Sequence, residues 1–439
     1  MRSLLRPRTT ELRRRTSGIQ GARGDGAPGS AIGLPQIELA TAAVALVAIS
    51  ATAIFGTVAA FLFIGASVLL AALRPAESVR DLARFWPLLA LPLLAALSTI
   101  WSDAPARTLR ASIQLFLTIA STIFVCRRIP ARQTLLILAG AFLFMCLLAV
   151  PAIPAAVAKN VPLVGPFGSK NAMGFAAHAL FALALAVGCD RTQPTAARIA
   201  APFAVAYAFL VASLAHSAGT EASFAITLLT FPAFLIFGKV SFRARIALLV
   251  GVGLAVALGI AFLPDIQQAW DTFRTDVLKK DSTLTGRTYL WDFAARLTAQ
   301  RPWLGHGYYA FWRHGNIDAE GLWQWGGIAS RTGFNFHNAF IEMNVDLGLV
   351  GVALLFIVCA TIALSALYCQ LHEPSVTMAF LLSFLCILYI RTYSESTLLA
   401  PFNTITVLWM AAGVYAMARQ QRSTPSPRGN AISRARRAI

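Results

Sequence analysis

The side chains best suited to chemistry in this chain are few, and they stand at the ends of apolar runs. His337 and Asn338 open the stretch FHNAFIEMNVDLG, in which Glu342 and Asp346 follow. A neutral imidazole near pH 7 is the usual group for drawing a proton from a hydroxyl. The spacing of four between Glu342 and Asp346 puts both carboxylates on one face of a helix. Carboxylates at the start of an apolar helix are costly unless paired or wet, which makes both of them site candidates. The plain alternative is that they mark the helix entrance; Glu342 is the better placed of the two to support His337. Arg287 lies in TLTGRTYLWDFAARLTAQRPWLGHGYYAFW, residues 283–312. Its guanidinium presents paired donors to anionic oxygens, and it would equally pair with Asp281 or Asp292 on the surface. In VGPFGSKNAMG, Lys170 and Asn171 stand beside flexible glycines, where Lys170 either meets an anion or merely snorkels.

These residues need a scaffold, and composition says which kind. The chain is 57% hydrophobic and 13% charged, with a mean hydropathy of +0.66, far outside the soluble range. A hydrocarbon core about 30 Å thick takes roughly 20 apolar helical residues to cross. Windows near 37–56, 57–73, 82–100, 109–126, 133–150, 171–189, 199–215, 222–237, 246–263, 347–367, 376–390 and 402–417 approach that length. They do not alternate as the strands of a membrane barrel would. The expected fold is an all-α polytopic membrane protein of about twelve transmembrane helices, with one long, partly helical extracytoplasmic loop.

Charge gives the expected orientation. With the N-terminus inside, most of the 37 basic residues fall on inner segments, among them Arg74, Arg80, Arg84, Arg127, Arg128, Arg132, Lys239, Arg243 and Arg245. The formal charge of +18 is then a topogenic signal facing anionic lipid, and nucleic acid is not expected as a partner. Residues 1–35 and 419–439 read as disordered basic cytoplasmic tails around a transmembrane domain at 36–418. Both termini are placed on the cytoplasmic side of a bacterial inner membrane. Cys126, Cys146, Cys189, Cys359, Cys369 and Cys386 fall in or beside the apolar windows and show neither a disulfide framework nor metal spacing, so no metal or cofactor is expected.

In this topology residues 264–346 form the only long extramembrane segment between spans. A loop of that length without structure is unusual, so it should fold and carry function. Thr285-Gly286 makes a break, Leu290, Phe293, Ala294 and Leu297 recur at helical spacing, and Arg301-Pro302 ends the helix. The aromatics that follow, Trp303, Tyr308, Tyr309, Phe311 and Trp312, suit the membrane interface.

Taken in order, DSTLTGRTYLW, RPWLGHGYYAFW and FHNAFIEMNVDLGLVG resemble the O-antigen ligase and polymerase superfamily (Wzy-C type), most closely its exopolysaccharide polymerases. WSDAPARTLRAS and FGSKNAMG occupy the matching earlier loops, so the resemblance runs from about residue 85 to about residue 400. It implies transfer of a glycan from undecaprenyl diphosphate to a sugar hydroxyl at the periplasmic face, by an inverting, metal-independent reaction. His337 would be the base and Arg287 the cation on the departing diphosphate. Lys170, Asn171, Asn338, Glu342 and Arg107 would bind substrate. The acceptor would be a glycan in a polymerase, or a lipid core or protein in a ligase; membrane lipid and other polysaccharide assembly proteins are the implied partners. One departure is visible: the short loop AHSAGTEAS, with His216, lacks the arginine that many relatives carry, so either Lys170 or Arg107 compensates or the donor pose differs. His306 is given no role.

A transporter or flippase is the rival from another class, and a structural assembly partner is a third. Transporters place their sites near the bilayer midplane, often on broken helices in repeated halves. Here the middles of the windows hold few ionisable groups, His178 among them, and the two halves show no repeat.

Overall fold

The computed structural model describes residues 33–262, 286–331, 333–396 and 398–423. Most of the two expected basic tails, and Asp281, lie outside the described residues. Those residues form helices and turns and contain no strand. In chain order the α-helices are Leu34–Ser50 (α1), Thr52–Leu73 (α2), Pro75–Arg84 (α3), Trp86–Leu97 (α4), Pro105–Arg128 (α5), Ala131–Leu147 (α6), Ile153–Lys159 (α7), Lys170–Cys189 (α8), Thr195–Ala215 (α9), Ala218–Lys239 (α10), Phe242–Ala261 (α11), Arg287–Gln300 (α12), Ile317–Trp325 (α13), Ala339–His372 (α14), Val376–Arg391 (α15) and Thr404–Ser423 (α16).

Each expected window overlaps a helix, but 37–56 crosses the junction of α1 and α2 and 82–100 the bend between α3 and α4. Residue 263 of the window 246–263 lies outside the described residues, and not each window is a span by length and apolarity. Seven segments qualify among the described residues: Thr52–Leu73, Pro105–Arg128, Ala131–Lys159, Lys170–Cys189, Thr195–Ala215, Ala218–Lys239 and Ala339–His372. An eighth is added if Pro75–Arg84 and Trp86–Ile100, bent by 81°, form one broken span. The α1 and α15 helices are apolar but short, at 17 and 16 residues, against roughly 20 for a straight crossing. The C-terminal helix runs on to Ser423, past the expected start of the tail at 419.

Helix ends follow local sequence rules. Ser169 Oγ accepts the amide of Ala172 at the start of α8, and Ser375 Oγ accepts that of Met378 at the start of α15. Pro75 and Pro105 stand at first helical positions, where a missing N–H costs nothing. At one end of the bundle, Arg74 Nε lies 2.6 Å from Glu38, Arg127 Nε 2.8 Å from Asp81, and Arg245 Nη1 donates to Leu371 O at 2.6 Å. At the other, Thr404 Oγ1 donates to Ile49 O at 2.9 Å and the Ala339 amide to Thr392 O at 2.8 Å. Between the ends runs one continuous apolar core that includes Phe63, Leu88, Leu115, Phe142 and Trp409. Large apolar side chains such as Phe61, Leu229 and Phe356 are exposed on the flanks, as a lipid-facing surface requires. All six cysteines are free thiols.

The segment between α11 and α14 has a core of its own. Leu290, Ala294 and Leu297, the expected stripe of α12, pack with Phe311, Trp323, Phe336 and Val345. Phe293 is only partly buried at the edge of this cluster. The α14 helix is broken at Gly348, whose φ is 63°. A Cβ there would lie 2.3 Å from the carbonyl carbon of Trp303, so the break lets the 301–307 segment lie against the helix backbone.

Candidate active site

His337 and Asn338 stand at the mouth of α14 because Asn338 caps it: Oδ1 accepts the amides of Phe340 and Ile341, at 3.0 and 3.1 Å. The Ala339 amide then donates to Thr392 O, and Asn338 Nδ2 approaches Tyr393 O at 3.4 Å. These bonds tie the His-Asn pair to the segment that follows α15. His337 itself has φ 51°, a left-handed conformation that costs free energy for a non-glycine residue. Its amide donates to Asn335 Oδ1 at 2.8 Å, and its ring meets Phe334 edge to face.

The carboxylate that reaches His337 is Glu395, three residues beyond Thr392. His337 Nδ1 lies 3.9 Å from Glu395 Oε2, beyond hydrogen-bond distance, and that buried nitrogen has no hydrogen-bond partner. Burial would raise the Glu395 carboxyl. The neighbouring His337 ring and the charges of Arg391 and Arg287 outweigh it and hold the group below its ordinary value. Glu395 thus lies beside His337 and shares a cavity wall with Arg391, and Arg287 adds positive field from further off.

Arg287 is the first residue of α12, entered through Gly286 with φ 78°. A side chain at 286 would strike the Trp325 ring at 2.6 Å. One turn along the same face, Trp291 Nε1 donates to Phe336 O at 2.9 Å, and its ring lies edge-on to Tyr393, with centroids 5.3 Å apart. That docking turns the Arg287 face of α12 towards His337 and the segment carrying Glu395.

Beside Glu395 a cavity of about 410 Å³ is lined by Asn171, Arg391, Phe402, Asn403 and Thr404 among others. Asn171 Oδ1 also accepts from Ser217 Oγ at 3.1 Å. Lys170, the first residue of α8, is exposed and does not line this cavity.

The other candidates are placed differently from expectation. Glu342 does not face His337: Oε1 accepts from Trp312 Nε1 and Oε2 from the Phe336 amide, both at 2.8 Å. Asp346 Oδ2 accepts the Tyr309 amide at 3.1 Å. Arg107 Nε donates to Tyr309 O at 2.9 Å, so its link is to the backbone of the long segment. His306 joins the same framework, with Nδ1 2.8 Å from Asp103 Oδ2 and Nε2 3.1 Å from Leu297 O. Sequence reasoning missed Glu395 and Arg391. Their spacing of four just beyond the apolar window 376–390 was the available signal. Among the described residues no group of three or more His, Cys, Asp or Glu side chains gathers as metal ligands do.

Residues 203–356 match the family model described as O-antigen ligase. Over that stretch the chain is similar to the O-antigen ligase family. Over 392 residues it is also 29% identical to the exopolysaccharide production protein ExoQ of Rhizobium meliloti, covering 87% of this chain and 88% of that protein. The matched stretch contains Arg287, His337, Asn338 and Glu342, and ends before Arg391 and Glu395.

Proposed function

We propose that this protein is a glycosyltransferase of the bacterial cytoplasmic membrane, moving an oligosaccharide from undecaprenyl diphosphate to a sugar hydroxyl at the periplasmic face. The observation that carries the proposal is the approach of His337 to within 3.9 Å of Glu395, within the field of Arg287 and beside a cavity of about 410 Å³ at one end of an apolar helix bundle. The acceptor hydroxyl loses its proton to His337 as its oxygen attacks the anomeric carbon from the face opposite the diphosphate. The bond from that carbon to the diphosphate oxygen breaks, and its electron pair leaves with the diphosphate. Glu395 stabilises the imidazolium, and Arg287 the departing anion. The reaction inverts the anomeric centre and draws its driving force from the lipid-linked donor. The family match and the resemblance to ExoQ support a membrane role in O-antigen or exopolysaccharide assembly.

The orientation and span count belong to this reading. Twelve crossings would alternate the expected windows across the bilayer and put the 286–338 segment outside, with the Arg74, Arg127 and Arg245 end of the bundle in the cytoplasm.

Of the two acceptor classes, a second lipid-linked glycan is favoured by the extensive likeness to an exopolysaccharide production protein. A lipid-core or protein acceptor is favoured by the family description as a ligase. Purified protein in detergent, given a defined undecaprenyl-diphosphate oligosaccharide, should lengthen it in steps of one repeat, read by mass. Transfer only to an added lipid core would select the ligase reading. Absence of any transfer, with flux appearing only in sealed vesicles, would select transport.

A further inference from the structure

The cavity beside Glu395 has a wall that the reaction outlined above does not use. Among the described residues Arg391 is the one cationic side chain of its lining. A cation in the last turn of α15 meets the negative end of that helix, which accounts for an arginine at this position but not for its place on the cavity wall. The residue, with Glu395 on the same wall, lines the cavity. Its described hydrogen bond is one long donation, Nη1 to Ser223 Oγ at 3.4 Å. A guanidinium carries five N–H donors, so most of its capacity is left over for a ligand beside it.

Two further sources of positive potential converge on the same space. Asn171 and Ala172, in the first turn of α8, and Asn403 and Thr404, at the start of α16, all line it. Helix starts present backbone N–H groups and the positive end of the macrodipole. Glu395 on the same wall offsets one positive charge, and Arg287 and Arg391 together exceed it. Phe142, Phe167, Phe175 and Phe402 complete the lining with apolar surface. The combination suits an anionic head attached to a hydrocarbon chain.

We infer that Arg391, with the starts of α8 and α16, forms the binding site for the diphosphate of the polyprenyl-linked donor in the cavity of about 410 Å³. This rests on the glycosyl-transfer reading and adds a second guanidinium to it: Arg287 meets the leaving group from the long segment, Arg391 from within the bundle. Two planar forks at separate edges fix the orientation of a diphosphate as a single point charge does not.

The test is direct binding in detergent of sugar-free undecaprenyl diphosphate and of undecaprenol to the wild type and to Arg391→Gln, Arg391→Lys and His337→Ala. Loss of one charge-assisted contact should weaken diphosphate-lipid binding by about 10- to 100-fold in Arg391→Gln, with undecaprenol binding unchanged. Arg391→Lys should fall between, because it keeps the charge without the fork; it also serves if the Gln variant does not fold. His337→Ala should bind the diphosphate lipid as the wild type does while transferring nothing. Wild-type affinity for the diphosphate lipid in both Arg391 variants overturns the inference, as does an equal loss for undecaprenol. Arg391-dependent binding by a wild type that transfers no glycan would sink the transfer reading and leave the site standing.

Discussion

Nδ1 of His337 and Oε2 of Glu395 face each other at 3.9 Å across a junction formed by the mouth of α14 and the turn after α15. An unpartnered, buried imidazole nitrogen beside an ionised carboxylate is poised rather than locked, and catalytic hydrogen bonds commonly tighten only when substrate is bound. Glu395→Gln should lower kcat by about 10- to 1,000-fold with little change in the donor KM, since it removes stabilisation of the imidazolium and leaves donor binding intact. An equal rise in KM without loss of kcat would reassign Glu395 to substrate binding.

The same pair gives a pH dependence with a defined sign. The Glu395 carboxyl is held below its ordinary value of 4.5, so the folded state binds that proton less readily than the unfolded chain. Its contribution to stability is fully present above 4.5 and is lost as the pH falls through the lower folded value. The melting-temperature gap between the wild type and Glu395→Gln should therefore narrow on acidification below 4.5 and stay constant from there to neutrality. A gap that widens in acid would contradict the arrangement.

Glu342 has a structural task. Its carboxylate holds Trp312 Nε1 and the Phe336 amide, clamping the aromatic floor of the long segment to the first turn of α14. Glu342→Ala strands two donors, and each buried unsatisfied group costs about 1–3 kcal/mol. Glu342→Gln keeps an acceptor for one of them and should lose about half as much. Thermal unfolding in detergent should rank wild type above Gln and Gln above Ala.

What was legible in the sequence was what is local. The apolar windows fell on helices because helix periodicity and apolarity are read within one segment, and the stripe Leu290, Ala294 and Leu297 packs as its spacing indicated. The expected window starting at 347 adjoins the break at Gly348, since the apolar run begins where the helix bends. Span count was less legible: α1 and α15 are apolar yet shorter than a straight crossing, and α3 meets α4 at 81°. His337 was visible as a candidate base from its type and place, but the carboxylate beside it was not. Glu342 is five residues away and faces Trp312, whereas Glu395 is distant in sequence and arrives only because Asn338 and Ala339 bond to Thr392 and Tyr393. Arg107, a candidate through the resemblance, and His306, given no role, both bond across to dock the long segment.

The break in α14 can be tested without touching any polar group. Gly348 has a φ of 63°, and a Cβ would lie 2.3 Å from the Trp303 carbonyl carbon, which is backbone and has little room to yield. Gly348→Ala carries roughly 1–2 kcal/mol of left-handed strain, and the clash adds to it. It should displace the 301–307 segment and abolish transfer. Gly253→Ala in α11, with nothing within 4 Å of the added methyl, is the control and should stay within about 0.5 kcal/mol of the wild type.

Asp103, in the turn before α5, joins that turn to the 301–306 segment. It receives Arg301 Nη1 at 2.9 Å and His306 Nδ1 at 2.8 Å, while the Asp103 amide donates to His306 O at 3.0 Å. The Arg301 pair is exposed by nearly half and is worth little on its own, whereas His306 is buried and loses a bond that water cannot replace. Asp103→Ala should therefore weaken the attachment of the long segment mainly through His306. Limited proteolysis should cut sooner between 301 and 316 in that variant, and Arg301→Ala should change the cleavage rate far less. Because α12 carries Arg287 on this same segment, the donor KM of Asp103→Ala should rise in step with the cleavage rate. A normal KM alongside rapid cleavage would mean that Arg287 is held in place by α12 and Trp291 alone, independently of the Asp103 clamp.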